Sequence, residues 1–168
     1  EREDLAEAIL DQIRKSGVTR RINLMEVCGT HTHAIARYGI KSMLPDNIRL
    51  LSGPGCPVCV TPNEFIDTAV ALAETPGVIA ATFGDMLRVP GSRSSLQEAK
   101  SRGADVRICY SPADALEIAA ENSEKKIVFL GVGFETTAPG IAATVLEAKE
   151  RNIANFFVLP GFKTLPNA

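Results

Sequence analysis

The fold is decided by the stretch from Ile127 to Leu159, which reads IVFLGVGFETTAPGIAATVLEAKERNIANFFVL. It begins with a near-continuous apolar run over Ile127–Val132, which is typical of a strand covered on both faces. A helix is predicted from about Ala138 to Arg151, and a further strand over Asn155–Leu159. This order of strand, helix and strand predicts a right-handed crossover between two parallel strands.

The same alternation extends through the rest of the chain. Further strands are predicted over Ile22–Val27, Ile48–Ser52, Val78–Phe83 and Val106–Tyr110, with helices between them. Capping boxes are expected to start helices at Thr61 and at Ser111, because each is followed three residues later by an acidic residue. Ser94 or Ser95 is expected to start a short helix in the same way, with Gln97 or Glu98 in the capping position. The pattern predicts an α/β fold, open and doubly wound, with one or more mostly parallel sheets.

The chain is expected to contain two small α/β units of similar fold. The segment Arg88–Ser95, with one Pro, one Gly and three Ser, is the expected border. The first unit would then cover residues 1–90 and carry the cysteine loops. The second would cover residues 91–168 and carry the loop Gly133–Thr137.

Composition excludes several classes of function. Of 168 residues, 45% are hydrophobic and 23% charged, as in an ordinary folded protein. The 18 basic and 20 acidic residues form no basic stripe, so nucleic acid is not an expected partner. No apolar run approaches the roughly 18–20 residues that cross a bilayer, and the charged start lacks a signal-peptide pattern. We therefore expect no membrane partner and a cytoplasmic location.

Cysteine and histidine side chains give the main functional signal. The chain has four Cys and two His, and five of these six lie between Cys28 and Cys59. The sixth, Cys109, falls inside a predicted strand and is expected to be an inert core residue. In a reducing compartment, paired cysteines serve metal or redox chemistry more often than they form a disulfide scaffold.

Cys28 follows the first predicted strand directly, within a loop at the carboxyl end where α/β sheets bind ligands. A helix that starts near Thr30 would lower the pKa of the Cys28 thiol. His31 is then a candidate second ligand, proton donor or hydrogen-bond partner, whereas His33 is expected to be structural. A buried Cys28 beside two solvated histidines is the alternative interpretation.

The second predicted strand leads into Gly53-Pro54-Gly55-Cys56-Pro57-Val58-Cys59. A C-x-x-C pair can close a disulfide, bind a metal, or do both in turn. Both cysteines precede the expected helix cap at Thr61, which argues against a thioredoxin domain, where the first Cys starts the helix. A purely structural role for Cys56 and Cys59 is not favoured in a loop so rich in Gly and Pro.

Two further loops follow predicted strands. Asp85 and Arg88 are expected to pair with each other. Glu135, Thr136 and Thr137 can cap the next helix, line the crevice, or do both. Neither a complete dinucleotide fingerprint nor a P-loop is present, so no nucleotide is indicated.

Four motifs together resemble a known family. In chain order they are Cys28-Gly29-Thr30-His31, the Gly53–Cys59 loop, Phe83-Gly84-Asp85-Met86 and Gly133-Phe134-Glu135-Thr136-Thr137. Each motif alone is short, but the four in this order are specific. From about Ile22 to Phe157 the chain resembles the HypD family of [NiFe]-hydrogenase maturation factors.

The resemblance implies a metal-assembly scaffold with redox-active thiols rather than an enzyme. On it the Fe(CN)2CO unit of the hydrogenase active site would be built, with iron at Cys28 and with His31 beside it. Cys56 and Cys59 would be the redox pair, and Glu135, Thr136 and Thr137 would line the cleft. The implied partners are the small chaperone HypC and the cyanide donor HypE.

The resemblance also implies a [4Fe–4S] cluster, whose cysteine ligands have no match in this sequence and are expected to lie outside it. The tail over residues 159–166 matches the family only loosely.

Two other functions stay open from the residues alone. One is a structural zinc site made by Cys28, His31, Cys56 and Cys59. The other is a thiol–disulfide oxidoreductase that uses Cys56 and Cys59.

Overall fold

A computed structural model describes residues 3–165, so the outermost residues of the two predicted units, 1–2 and 166–168, lie outside the described residues. The helices are α1 Glu3–Lys15, α2 Gly29–Arg37, α3 Ile40–Met43, α4 Asn63–Ala73, α5 Leu96–Ser101, α6 Pro112–Glu121 and α7 Ala138–Glu150, with a 3-10 helix over Gly84–Arg88. The strands are β1 Ile22–Glu26, β2 Ile48–Ser52, β3 Val78–Thr82, β4 Val106–Ile108, β5 Lys126–Gly133 and β6 Phe156–Phe162.

The α/β class predicted from the sequence is confirmed. The strands form two sheets, one of β1 and β2 and one in the order β4-β3-β5-β6, and every strand pair is parallel. A helix separates each strand from the next, as parallel neighbours require.

By their contacts the residues divide into two compact units. The first contains the described residues up to Cys56, and the second runs from Pro57 to Leu165. The segment 88–95, from which the sequence predicts a border, lies inside the second unit. It is held there because the Asp67 carboxylate of α4 accepts a hydrogen bond from the Ser92 N–H at 2.8 Å.

The second unit contains the buried core. All five residues of β3 are buried, and β5 is buried from Ile127 onward, because helices cover both faces of this sheet. One cluster packs residues of α4 and α5 against the sheet, and the other packs residues of α6 and α7. The predicted face of α4, with Ile66, Ala69, Val70 and Ala73, is buried as expected.

The first unit is built differently. Its two strands pair in parallel from Ile22 with Ile48 to Glu26 with Ser52. No residue from 4 to 56 is buried, and apolar side chains such as Leu5, Ile9 and Leu24 are nearly half exposed. Apolar burial therefore stabilises this unit less than it stabilises the second.

Two predicted helix starts are confirmed and one is wrong. Ser111 caps α6 in a capping box with Asp114, and Ser95 caps α5 in the same way with Glu98. Thr61 does not cap α4, which begins at Asn63 without a side-chain cap. Its hydroxyl donates instead to the Pro57 carbonyl at 2.9 Å and closes the preceding turn.

The Ser111 cap makes a testable contribution to stability. Replacing Ser111 with Ala leaves the Asp114 N–H without its acceptor, so the free energy of unfolding should fall by about 1 kcal/mol. Chemical denaturation of Ser111→Ala measures this loss. Ser111→Thr keeps an acceptor oxygen and should retain most of the stability; an equal loss in both variants would contradict a capping role.

The sixth strand is longer than the sequence predicts. It continues past Leu159 through Pro160 and Gly161 to Phe162. Gly161 permits this continuation, because a Cβ there would lie 2.8 Å from the ring of Phe65. Pro160 is tolerated because β6 is an edge strand of its sheet.

The backbone of Pro160 points toward the open edge. The Ile127 N–H donates to the Asn155 carbonyl, and the Lys163 N–H donates to the Gly133 carbonyl. Because alternate residues of a strand face the same neighbour, the odd-numbered residues of β6 bond β5 and the even-numbered ones face outward. Because Pro160 has no N–H, the outer edge of β6 lacks one hydrogen-bond donor near the middle of the strand. This makes the edge a poorer partner for a strand of another molecule.

This position predicts the effect of a substitution. Pro160→Val restores an outward donor within a flat, apolar edge, so self-association should increase. Sedimentation velocity over a range of concentrations measures it. Pro90→Val changes an exposed proline outside any strand and should leave the sedimentation coefficient unchanged. A Pro160→Val protein as monomeric as the parent would contradict the protective role.

Candidate functional site

Cys28 lies at the start of α2, immediately beyond the end of β1. It is the N-cap residue, with extended dihedrals of φ −141° and ψ 125°, and its side chain is half-buried. The backbone N–H of His31, followed by that of Thr30, lowers the pKa of the Cys28 thiol. Unpaired N–H groups at a helix start favour negative charge, so this position stabilises a thiolate.

A hydrogen-bonded carboxylate contacts the helix that Cys28 begins. The Thr32 hydroxyl, in the first turns of α2, donates to Glu26 Oε1 at 2.7 Å. This bond is the main reason that the pKa of the Glu26 carboxyl is lowered, with smaller contributions from Ser52 and from the charge of His31. The carboxylate thus links the end of β1 to the helix that Cys28 begins.

The Cys56 loop leaves the same edge of the two-stranded sheet. Glu26 is paired in register with Ser52, and the Gly53 N–H donates to the Glu26 carbonyl at 2.9 Å. A Cβ on Gly53 would lie 2.2 Å from that carbonyl oxygen, so only glycine fits here. Within the first unit, the loops that carry Cys28 and Cys56 therefore begin side by side.

Both histidines are exposed on α2. His31 lies near enough to Glu26 to lower the pKa of that carboxyl through its charge. His33 is not packed into a core, as its expected structural role would require. The structure therefore places His31 next to the carboxylate and gives His33 no packing role.

The C-x-x-C pair falls on the division between the two units. Cys56 is half-buried in the first unit, and Cys59 is exposed in a turn at the start of the second. The turn is closed by the Thr61 N–H, which donates to the Val58 carbonyl at 3.2 Å. None of the four cysteines, all within the described residues, is in a disulfide.

The remaining predicted site residues belong to the second unit, between the end of β5 and the start of α7. Glu135 Oε1 accepts a hydrogen bond from the Leu165 N–H at 2.7 Å, and Thr136 is exposed. Thr137 is the N-cap residue of α7, but its side chain makes no capping bond. It packs instead against Gly133, where a Cβ would lie 2.5 Å from it.

The ion pair expected between Asp85 and Arg88 does not form in the described part of the chain. Both side chains are exposed, and they flank Met86, which is fully buried. The 3-10 helix is therefore anchored by its methionine, and the pairing prediction is wrong.

Cys109 is a core residue, as the sequence predicts. It is 2% exposed and packs in the cluster of α6 and α7. Burial raises the pKa of its thiol, which makes it a poor nucleophile. A cluster with four cysteine ligands does not fit the cysteines of this chain, because Cys109 is sealed in the core.

Two observations concern the described residues as a whole. Residues 3–165 contain no group of three or more His, Cys, Asp or Glu side chains placed to hold a metal ion. None of the helices within that range has the length and apolar character needed to cross a bilayer.

Sequence reasoning missed Glu26 and Thr32. The signal was present in Met25-Glu26-Val27-Cys28, where an acidic residue ends a strand just before a cysteine. A hydroxyl residue in the first turns of the following helix is a natural donor to it. Neither position belongs to a recognised ligand pattern, and their contact depends on the turn between them.

Comparison with known proteins places the chain in a family. The HypD model, described as "Hydrogenase formation hypA family", matches residues 4–168. The chain belongs to the HypD family. It is 56% identical over 138 residues, 82% of the chain, to the hydrogenase maturation factor HypD of Escherichia coli (strain K12).

Other HypD relatives are nearly as similar. The hydrogenase maturation factor HypD of Azotobacter vinelandii is 51% identical over 89% of the chain, and that of Cupriavidus necator 48% identical over 98%. The matched region covers 37%, 40% and 44% of the E. coli, A. vinelandii and C. necator relatives. The chain therefore spans less than half the length of these HypD proteins.

The environments of the cysteines predict different reactivities. Cys28 has a lowered thiol pKa and a half-exposed side chain, whereas Cys109 is buried with a raised pKa. Iodoacetamide should therefore modify Cys28 far faster than Cys109 at neutral pH. As the pH is lowered, the reaction rate of Cys28 should begin to fall at a lower pH than the rate of an ordinary thiol does, because the lowered pKa keeps the thiolate present in more acidic solution.

Timed alkylation followed by peptide mass spectrometry measures both rates in the native protein. In denaturant the two cysteines should react alike, since both environments are then lost. A Cys28 rate that rises with pH as it does in an unfolded peptide would contradict the stabilised thiolate.

Proposed function

We propose that this chain is the part of a hydrogenase maturation scaffold that holds iron through Cys28 while the Fe(CN)2CO unit of a [NiFe] active site is assembled. The position of Cys28 carries the proposal. A half-buried thiol faces the N–H groups at the start of α2, next to the loop that carries Cys56. Iron is the cargo of this site and not a resident cofactor.

The chemistry of the donors supports this role. Iron that carries cyanide and carbonyl ligands favours soft donors, and thiolate is the softest donor that a protein offers. Since a proton competes with the metal for the sulfur, a lowered thiol pKa keeps Cys28 available at neutral pH. His31, exposed in the first turn of α2, is proposed as a second ligand or proton donor.

Cys56 and Cys59 are proposed to supply electrons or further ligands. Oxidation of the two thiols to one disulfide releases two electrons and two protons, which fits a reductive step in assembly. Exposure of Cys59 makes it accessible to an electron donor or acceptor. A [4Fe–4S] cluster, if it serves this pair, must be held by residues outside this chain.

The scaffold is proposed to work with a HypC-type chaperone and a HypE-type cyanide donor in the cytoplasm. Glu135, Thr136 and Thr137 are proposed to line a cleft of the scaffold. No separate enzymatic turnover is assigned to the chain.

Substitution of Cys28 tests the proposal. When Cys28→Ala is produced with the partner proteins, bound iron and the infrared bands of cyanide and carbonyl should be lost, because the soft donor is gone. Cys109→Ala is the matched control, since it removes a thiol that is sealed in the core, and should retain both signals. Iron at the parent level in Cys28→Ala would reject the scaffold role.

The same samples separate the alternatives. Stoichiometric zinc by elemental analysis, with unfolding on chelation, would support a structural zinc site. Turnover of a generic disulfide by Cys28→Ala, at the parent rate, would support a thiol–disulfide oxidoreductase. Loss of iron in Cys56→Ala and Cys59→Ala would identify the pair as a source of ligands. Retained iron with loss of the cyanide and carbonyl bands would identify it as an electron source for assembly.

A further inference from the structure

Glu26 is the residue at which the two halves of the first-unit site are tied together. Its backbone carbonyl accepts the Gly53 N–H at 2.9 Å, which fixes the start of the Cys56 loop. Its carboxylate accepts the Thr32 hydroxyl at 2.7 Å, which fixes the first turns of α2. One residue therefore positions the loops on both sides of the sheet edge.

The second contact bears directly on Cys28. Thr32 lies four residues after Cys28, and its N–H donates to the Cys28 carbonyl at 3.1 Å in the first bond of the helix. Its hydroxyl lies 3.3 Å from the same carbonyl. Thr32, which is held by Glu26, thus fixes the orientation of the peptide group between Cys28 and Gly29. That orientation also sets the direction of the N–H groups that face the Cys28 sulfur.

We propose that Glu26 and Thr32 form a clamp that positions the Cys28 sulfur for metal binding. Neither side chain is a ligand in this proposal; both act through the first turn of α2. The proposal rests on the proposed function of Cys28 and adds to it the residues that hold the donor in place. Such outer groups set the direction of a metal ligand, and their loss commonly weakens metal binding about 10- to 100-fold.

The clamp is distinct from ordinary helix capping. Cys28 is the N-cap residue of α2 and makes no side-chain capping bond. The first turn contains no acidic residue, so the carboxylate that serves this helix comes from the preceding strand. A carboxylate there also places negative charge near the positive end of the helix dipole.

The test uses Co2+ as the probe, because its thiolate charge-transfer absorption reports ligation by sulfur. Thr32→Val removes the hydroxyl at nearly constant shape, Thr32→Ser keeps it, and Glu26→Met removes both acceptor oxygens at nearly constant side-chain length. The dissociation constant for Co2+ should rise at least tenfold in Thr32→Val and in Glu26→Met, and should stay within twofold of the parent in Thr32→Ser.

A second readout needs no metal. The rate at which iodoacetamide modifies Cys28 at one fixed pH should fall several-fold in Thr32→Val and return to the parent rate in Thr32→Ser. Amide hydrogen exchange across β1 and α2 shows whether a variant remains folded. If Thr32→Val opens this region, the comparison of Glu26→Met with the parent decides the proposal.

The outcomes separate this inference from the function on which it rests. A parent protein without thiolate absorption, or with the same absorption in Cys28→Ala, overturns both the metal-binding role and the clamp. A parent protein that binds Co2+ through Cys28, with Thr32→Val and Glu26→Met within twofold of it, overturns the clamp alone. A loss of Co2+ affinity in Thr32→Ser as large as that in Thr32→Val also overturns the clamp, because the missing hydroxyl would then not be the cause of the loss.

Discussion

The parallel register of β1 and β2 is the constraint on which the candidate site depends. Glu26 lies opposite Ser52, so the two strands end together. The chain then continues into a cysteine loop on each side, because the carboxyl ends of parallel strands share an edge. A shift of one residue would turn Glu26 to the other face and separate its carboxylate from Thr32.

The backbone around this edge leaves little freedom. Gly53 approaches the Glu26 carbonyl more closely than any side chain would permit, and Gly55 has a positive φ of 91°. These two glycines let the Cys56 loop turn immediately after its strand. The thiolate of Cys28 then requires no nearby lysine or arginine, because the start of a helix provides the favourable electrostatic environment.

Local patterns predicted the elements well, and long-range contacts account for what they missed. The capping boxes at Ser95 and Ser111 are local and formed as expected. Thr61 has the same spacing, but its hydroxyl donates to the Pro57 carbonyl and α4 begins two residues later, at Asn63. The sequence predicts too short a β6, because a proline such as Pro160 usually indicates the end of a strand. A proline is tolerated within an edge strand, and only the structure shows that β6 is one. The four motifs indicated the HypD family, but the Glu26–Thr32 contact depends on how the intervening turn folds.

The contrast in burial between the two units has a thermodynamic consequence. The first unit has no buried residue from 4 to 56, while the second has a continuous core on both faces of its sheet. A cation captured by the folded form alone adds its binding free energy to the stability of the region that captures it. Loading should therefore raise the melting temperature of the unit that carries Cys28 as the cation concentration rises, so that calorimetry would register cargo as a shift in the transition of that unit.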